Sequence, residues 1–467
     1  MKNEAISKGL KNIRYTFIAQ MIVMGAGVLK TLLIPSFLSV EAYGYWQIYL
    51  FYISYIGFFY LGFNDGVLLR YGKYDYDKLP FSVMRTSMYF YLVMLLIFSV
   101  VFSLYTSTIQ DIDKRIIMSI IAASIVMYGI NGVLVYIFLI TNQIKLYSFF
   151  TSIDQVVVLF SAISMLMIGN PNYKILIVVS FISKLVLVLV MMYLCKELFW
   201  GKLESIANGF REFTKNIECG LVLMLAQIMS MLLTGLGRVL VEYLGNIEEY
   251  AYYAFAMSVI NIVMVCVTAF ATVMYPMMSR VNSDDLPGYF NVFCSYVTIF
   301  NAMAVISYFP AEFFVKILFP QYSPMLDYLF VLFILLTWQA KINIVTNAYF
   351  RVLRKERQMF GINACGVLIF ILIGFPAMFI THSIKAVAIC TFFTILLIEI
   401  ISEMYLRRQL GIRMSLVTVK DIVINIFFII CCITFNLLWG FVIYIIFLIG
   451  FLLLNKKTLT ELINKIK

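Results

Sequence analysis

Four basic residues lie inside stretches of sequence that are otherwise apolar: Lys30, Lys184, Arg238 and Lys341. A charged side chain in a hydrocarbon layer is costly, so such residues normally face a partner or a water-filled cavity. Arginine and lysine also form charge-assisted hydrogen bonds with phosphate oxygens. We therefore predict that the four cations line a cavity that binds an anion such as a phosphate or pyrophosphate.

Arg238 is the most informative of the four, because it lies within the long apolar stretch 218–244. At ~1.5 Å rise per residue, the arginine falls about 10 Å from the middle of that helix. Two interpretations remain open: the polar residues face a cavity, or Arg238 pairs with an acid one turn on and extends outward. These polar residues recur at spacings of three and four and share one helix face: Gln227, Ser230, Thr234, Arg238 and Glu242.

The lysines have alternatives of their own. Lys30 lies close to the end of the first predicted helix and could extend to the outer surface. Lys184 could be a neutral lysine held by helix carbonyls. Lys341 lies near the centre of its predicted helix and is the hardest to explain without a binding role.

A second charged group is predicted at the cytoplasmic ends of the helices. Asp65, Arg70 and Arg85 frame the end of one helix and the start of the next, which suggests a cytoplasmic gate, although solvated ion pairs are the commoner outcome. Each acid in the spans could carry a coupling proton or sodium ion, or form a plain salt bridge. Besides Asp65, these acids are expected near helix ends: Asp154, Glu242, Glu399 and Glu403.

These residues are expected to lie on membrane helices. Hydrophobic residues make up 63% of the chain and charged residues only 13%, whereas soluble domains are about 45–50% apolar. We predict an all-α polytopic membrane protein of about 14 spans, since roughly 20 apolar residues cross a bilayer. The spans are predicted near 13–34, 45–69, 81–105, 116–140, 147–169, 175–195, 218–244, 251–279, 289–309, 325–350, 361–381, 386–404, 421–438 and 441–454.

A weak internal repeat divides these spans into two lobes. A shift of 207 residues aligns Glu41 with Glu248 and Tyr43 with Tyr250. Two parallel six-helix lobes around a central cavity are typical of transporters that work by alternating access. The predicted domains are an N-lobe at 1–195, an amphipathic cytoplasmic connector at 196–217, a C-lobe at 218–404, and a C-terminal helix pair with a basic tail at 405–467.

The distribution of basic residues predicts the orientation. Most of the 35 lysines and arginines fall on one side of the predicted spans if both termini are cytoplasmic. The net charge of +11 therefore reflects membrane topology and contact with anionic lipid headgroups. No separate basic or aromatic module indicates nucleic-acid binding.

Several kinds of site are missing from the sequence. It contains no P-loop motif, so we predict no ATPase activity of its own. The single histidine, His382, and the scattered cysteines indicate no metal site and no cofactor. The predicted outer loops are short, which disfavours an enzyme that must hold two substrates there.

Two stretches resemble a known family. The sequence PSFLSVEAYGYWQIY at 35–49, followed by YLGFNDGVLLRYG at 60–72, resembles the first two helices of the Wzx-type flippases of the MOP (multidrug/oligosaccharidyl-lipid/polysaccharide) exporter superfamily. The stretches EEYAYYAFAMSVIN at 248–261 and YPMMSR at 275–280 fit the same pattern. The resemblance implies translocation of an undecaprenyl-pyrophosphate-linked oligosaccharide across a bacterial inner membrane, for O-antigen, capsule or exopolysaccharide synthesis. It also implies that Lys30, Arg238 and Lys341 are lumen cations.

Two other functions are weighed against this one. A drug or cation antiporter of the same superfamily is expected to place a carboxylate, not cations, at the centre of its cavity. A membrane polymerase or ligase for the same glycan needs catalytic residues in a large outer loop. An exporter of this kind would depend on an ion gradient of H⁺ or Na⁺, on the membrane potential, or on removal of its product by the polymerase machinery.

Overall fold

The computed structural model describes residues 2–72, 74–169, 171–278, 281, 284–413 and 416–456, with side chains from Ile18 onward. Side chains at 266, 269–270, 272–277 and 416 are not described, so most of the 275–280 motif and the tail 457–467 lie outside the description. The α-helices are α1 Lys2–Phe37, α2 Val40–Ser54, α3 Phe63–Tyr71, α4 Phe81–Thr106, α5 Ile112–Ile140, α6 Ile144–Ile168, α7 Tyr173–Leu194, α8 Ile206–Leu244, α9 Ile247–Met278, α10 Leu286–Val305, α11 Tyr308–Leu318, α12 Leu326–Lys341, α13 Asn347–Val352, α14 Glu356–Thr381, α15 Ile384–Gln409, α16 Leu416–Thr434 and α17 Leu437–Leu454.

The all-α polytopic fold agrees with the prediction. No strand occurs among the described residues, and twelve helical segments within them are long and apolar enough to cross a membrane. The two other predicted spans are also helical. The span predicted at 45–69 is divided between α2 and α3, and residues 251–278 of the span predicted at 251–279 lie in α9.

Side-chain caps fix where several helices begin. Ser39 accepts a hydrogen bond from the Ala42 amide at the start of α2, and the Asp111 carboxylate accepts two amides at the start of α5. Asn172 and Asn436 act in the same way on α7 and α17. Each cap accepts hydrogen bonds from amide groups that have no partner within the helix. These polar residues therefore define where the four helices begin.

The chain divides into two compact units, Met1–Ile228 and Met229–Lys467. In the first unit α1 packs along α6, and α5 contacts α2, α3, α4 and α7. Its core is apolar and fully buried, with Tyr91, Leu95, Ile125 and Val133 at 0% exposure. The central position of α5 explains why this helix carries so few polar side chains.

The second predicted span is broken at Leu61 and Gly62, whose φ angles are 46° and 78°. The break separates α2 from α3, and α3 then packs closely against the first half of α8. A Cβ on Gly66 would lie 1.9 Å from the Asn216 carbonyl oxygen, and one on Gly62 would lie 2.4 Å from the Leu221 amide nitrogen. The stretch LGFNDG therefore contains glycines where backbones touch and where φ is positive.

The connector predicted at 196–217 is only partly separate from the following helix. A 3₁₀ turn at Lys196–Leu198 leads into an irregular segment, but residues 206–217 are the first turns of α8. The amphipathic pattern there reflects one continuous 39-residue helix. Its early turns carry polar contacts to α3 and α4, and its later turns carry the apolar stretch.

In the second unit, α12 contacts α9, α10 and α15, and α14 packs along α15. Helix α12 is followed by a π-helical turn at Ile342–Thr346 and then α13. The C-terminal pair is part of this unit: α16 contacts α10 and α12, and the Tyr444 hydroxyl of α17 donates to the Ala302 carbonyl at 3.0 Å.

The internal repeat has structural counterparts. Glu41 lies in the first turn of α2, and Glu248 lies in the first turn of α9. Tyr43 and Tyr250 are both 1% exposed. Matching residues therefore occupy matching positions at the start of the second helix of each repeat.

Candidate functional site

Lys341 lies at the centre of a buried charge cluster in the second unit. Its ammonium group is 2.7 Å from Glu403 of α15 and 3.2 Å from Asp421 of α16. Arg407 donates to the other oxygen of Glu403 at 2.6 Å. Burial is nearly complete, since Lys341 and Glu403 are each 1% exposed. Three helices are thus joined by charge-assisted hydrogen bonds in a place that excludes water.

Glu399 is the third carboxylate of this cluster and is 0% exposed. The Thr346 hydroxyl lies 3.0 Å from both of its carboxylate oxygens. In the Lys341 cluster, defined as Lys341, Glu399, Glu403, Arg407 and Asp421, two cations face three carboxylates. Burying an uncompensated negative charge is costly. The cluster can therefore accept one more positive charge, such as a proton, which would balance the third carboxylate.

Thr346, which contacts Glu399, is the last residue of a π-helical turn that follows Lys341. Such turns insert one extra residue into a helix and often occur at functional sites. In this chain the turn leaves Lys341 and Thr346 buried toward α15, while Asn343 is half-buried at the edge of a cavity. Neighbouring residues of this segment therefore lie in two different environments, the charge cluster and the cavity.

That cavity has a volume of about 180 Å³ and is lined within the second unit by α8, α12, the π-helical turn, α14 and α15. Its polar side chains are all uncharged: Ser230, Thr234, Gln339, Asn343 and Asn363. We call it the amide cavity. Ser230 and Thr234 belong to the polar stripe that the sequence assigned to a cavity or a partner helix, and both line this cavity.

Arg238 is half-buried one turn beyond Thr234 on the same face of α8. It lies close enough to the Tyr253 hydroxyl of α9 to act on it electrostatically. Glu242 is half-buried a further turn along. Neither ion pair of Lys341 involves Arg238, so the two predicted cations of this unit occupy different environments.

In the first unit, Lys184 forms a buried ion pair with Asp154 at 3.0 Å. Its ammonium group also lies 5.1 Å from the centre of the Tyr128 ring. Lys30 donates a hydrogen bond to the side chain of Gln155, the residue after Asp154 on α6, and lies within electrostatic range of Asp154. Lys184 therefore faces a carboxylate, where the sequence-based alternative expected helix carbonyls.

Of the three predicted gate residues, Arg70 forms a clasp between α3 and α8. Arg70 donates to Asn216 at 2.6 Å and to Glu212 at 3.0 Å, and the Tyr71 hydroxyl also donates to Glu212. Asp65 is buried, with the Tyr136 hydroxyl 3.4 Å away. The solvated ion pairs given as the alternative are not what Arg70 forms, since Glu212 is largely buried.

Arg85 does not join this clasp. Its guanidinium group donates to the backbone carbonyls of Glu197 and Lys202 and so holds the segment that precedes α8. The Tyr76 hydroxyl donates to the Glu197 carboxylate at 2.8 Å. The backbone amide of Glu197 and this hydroxyl hold the pKa of that carboxyl below its usual range.

Two sequence-based expectations about the charged residues need correction. Asp154 and Glu399 were expected near helix ends, but Asp154 lies near the middle of α6 and Glu399 well inside α15. The predicted excess of cations is also too large, because Lys184 and Lys341 have carboxylate partners. Asp421 was missed, although an acid within the apolar run of α16 was a visible signal.

Comparison with known proteins agrees with this architecture. The profile of a family described as "Polysaccharide biosynthesis protein" matches residues 9–282. No curated protein matches the chain. The solved structure of the lipid II flippase MurJ, in an inward closed conformation, is similar with a TM-score of 0.59 and 14% identity, over 97% of this chain and 100% of that one.

Two transporters of the MOP superfamily share the same fold. An inward-facing multidrug resistance MATE family transporter gives a TM-score of 0.59 at 12% identity, over 84% of this chain and 98% of that one. A MOP superfamily transporter from Pyrococcus furiosus gives a TM-score of 0.53 at 13% identity, over 86% of this chain and 96% of that one. At these identities the likeness establishes the fold of the MOP superfamily and leaves the substrate open.

Proposed function

This chain belongs to the polysaccharide biosynthesis protein family, and from that premise we propose that it is a lipid-linked oligosaccharide flippase. It would move an undecaprenyl-pyrophosphate-linked repeat unit from the cytoplasmic to the outer leaflet of a bacterial inner membrane, with both termini cytoplasmic. The polymerase machinery for O-antigen, capsule or exopolysaccharide would then consume the unit. The protein itself would carry out transport by alternating access and no covalent chemistry.

The observation that carries this proposal is the polar face of α8. Ser230 and Thr234 line an uncharged polar cavity, and Arg238 follows one turn later on the same face. A pyrophosphate needs a cation that a ligand can reach, and a glycan needs uncharged hydrogen-bonding groups. Arg238 would therefore bind the pyrophosphate while the lipid tail stays in the bilayer.

The remaining predicted cations receive different roles. Lys30 pairs with a neutral amide and stays a candidate for the pyrophosphate. Lys184 and Lys341 would reach a substrate only if their ion pairs opened during transport, so we assign them to the scaffold of each unit. We propose that Arg70, Asp65 and Arg85 act at the cytoplasmic end, with the Arg70–Glu212 contact opening as substrate enters.

We further propose that transport is coupled to protons through the Lys341 cluster. Glu399 has a hydroxyl partner and no cation within salt-bridge distance among the described residues. In this conformation it would hold a proton, because an ionised carboxylate there would add a third buried negative charge against two positive ones. Asp154 is the corresponding candidate in the first unit, although its pairing with Lys184 makes it the weaker one.

The alternative of a drug or cation antiporter is less well supported. Its substrate would require a carboxylate in the cavity, and the polar side chains lining the amide cavity are hydroxyls and carboxamides. The similarity to MATE transporters is one of fold at 12% identity. A polymerase or ligase would require an acid or base at a substrate-accessible site.

The test is to follow lipid-linked intermediates in cells that lack this protein but retain the glycan assembly enzymes. Complementation with wild-type protein, Arg238→Ala and the exposed control Arg357→Ala separates transport from expression. We expect single lipid-linked units to accumulate in the cytoplasmic leaflet of the deletion and Arg238→Ala strains only. Normal delivery of single units to the outer leaflet in the deletion strain would exclude the flippase function. If the deletion strain fails to export single units but the Arg238→Ala strain exports them normally, the flippase function stands and Arg238 is not a site residue.

A further inference from the structure

The side chains that line the amide cavity suit one chemical class of ligand. Three carboxamides and two hydroxyls line it, from Gln339, Asn343, Asn363, Ser230 and Thr234. Carboxamides and hydroxyls each offer both donors and acceptors without charge. Such a set matches a ligand that is itself rich in hydroxyl groups and carries no net charge.

Asn363 is the most deeply buried of the polar side chains that line the cavity. It is only 6% exposed and lies on α14, a helix whose other residues are mostly apolar. No described protein group hydrogen-bonds its side chain, and the same is true of Gln339. Neither carboxamide belongs to the fully enclosed polar groups that lack a partner, so both reach the cavity, where a ligand or water can supply their hydrogen bonds.

The remaining lining is apolar and includes Leu233, Ile342 and Ile395. A sugar ring has an apolar face of C–H groups and an edge of hydroxyl groups, so a cavity lined by both apolar side chains and carboxamides is complementary to it. The cavity is small, at about 180 Å³. A cavity of this size suits a single sugar ring better than a whole repeat unit.

Building on the proposed flippase function, we infer that the amide cavity is a subsite for one neutral sugar ring, the one linked to the pyrophosphate. Thr234 and Arg238 are four residues apart on α8, so their Cα atoms are separated by about 6 Å along the helix axis. This separation suits a pyrophosphate at Arg238 joined directly to a ring beside Thr234. A hexuronic acid would be rejected there, because its carboxylate would be buried without a cation.

The inference is tested by binding to the purified full-length protein in lipid nanodiscs. Three probes are compared: undecaprenyl pyrophosphate, its glucose derivative and its glucuronic acid derivative. The variants are Asn363→Leu and Gln339→Met, which keep side-chain size, with Asn261→Leu as a control from an exposed position of α9 outside the lining. Kd is measured for every pair.

We expect the wild type and Asn261→Leu to bind the glucose probe more tightly than undecaprenyl pyrophosphate, and the glucuronic acid probe more weakly than the glucose probe. Asn363→Leu and Gln339→Met should each weaken the glucose probe by about 3- to 10-fold, the effect of one lost hydrogen bond. Their affinity for undecaprenyl pyrophosphate should not change.

Equal affinity of the wild type for the glucose and glucuronic acid probes would overturn the neutral-sugar subsite. So would a cavity variant that weakens undecaprenyl pyrophosphate as much as the glucose probe. Failure of the flippase function itself has a different signature, because the wild type would then bind none of the three probes.

Discussion

The ammonium group of Lys341 lies 2.7 Å from the carboxylate of Glu403, and these residues are 62 positions apart in the chain. Each side chain is 1% exposed, so the pair is held without water. Asp421 of the C-terminal helix pair completes the contact at 3.2 Å. Buried ion pairs therefore connect three helices of the second unit, at positions where hydropathy alone would predict apolar residues.

Removing one partner of this pair should damage the fold more than removing both. Lys341→Met leaves buried carboxylates uncompensated and should lower the free energy of unfolding by about 3–5 kcal/mol. The double change Lys341→Met with Glu403→Gln should recover part of that loss. Thermal unfolding of the detergent-solubilised protein checks this, with Lys316→Met as the control at an exposed ion pair. A single variant as stable as wild type would contradict the structural role.

Glu399→Gln should mimic a protonated Glu399 without changing its shape. We expect the variant to fold normally, to bind undecaprenyl pyrophosphate normally, and to lose any stimulation of transport by a pH gradient. The reason is that the amide cannot release a proton, while it can still accept the Thr346 hydroxyl. Transport into proteoliposomes with and without a pH gradient is the measurement. Full stimulation of the variant would show that protons couple elsewhere.

Gly66→Ala should destabilise the first unit. Its new Cβ would fall 1.9 Å from the Asn216 carbonyl oxygen, so α3 and α8 would have to move apart. Overpacking of this kind costs ~1–3 kcal/mol. Gly57→Ala is the matched control, because no heavy atom lies within 4 Å of its added Cβ. A lower melting temperature for Gly66→Ala than for Gly57→Ala is expected, and equal values would mean that the α3–α8 contact is loose.

The clasp between Arg70 and Glu212 should respond to charge exchange. Arg70→Glu and Glu212→Arg each place like charges together and should reduce surface polymer in complemented cells. The double exchange restores opposite charges and should recover much of it, with a coupling energy of roughly 0.5–3 kcal/mol. Arg351→Glu, at an exposed position, controls for the change of charge. If the double exchange is as defective as the single variants, Arg70 acts on something other than Glu212.

The membrane class, the approximate spans and the polar face of α8 could be predicted from the sequence. These properties are local: a run of apolar residues must be buried in lipid, and a spacing of three to four puts side chains on one helix face. The break at Leu61 and Gly62 was not predicted, because the stretch 45–69 was interpreted as one continuous span. Local chemistry also singled out Arg238 and its neighbours on α8.

Which cations have carboxylate partners and which side chains share a cavity depends on the packing of the helices. Lys341 meets Glu403 and Asp421 across 62 and 80 residues, and Lys184 meets Asp154 from another helix. A count of charges within spans cannot reveal such partners, because helix rotation and packing determine what each charge faces. The amide cavity depends on packing in the same way, since α8, α12, the π-helical turn and α14 each supply part of its polar wall.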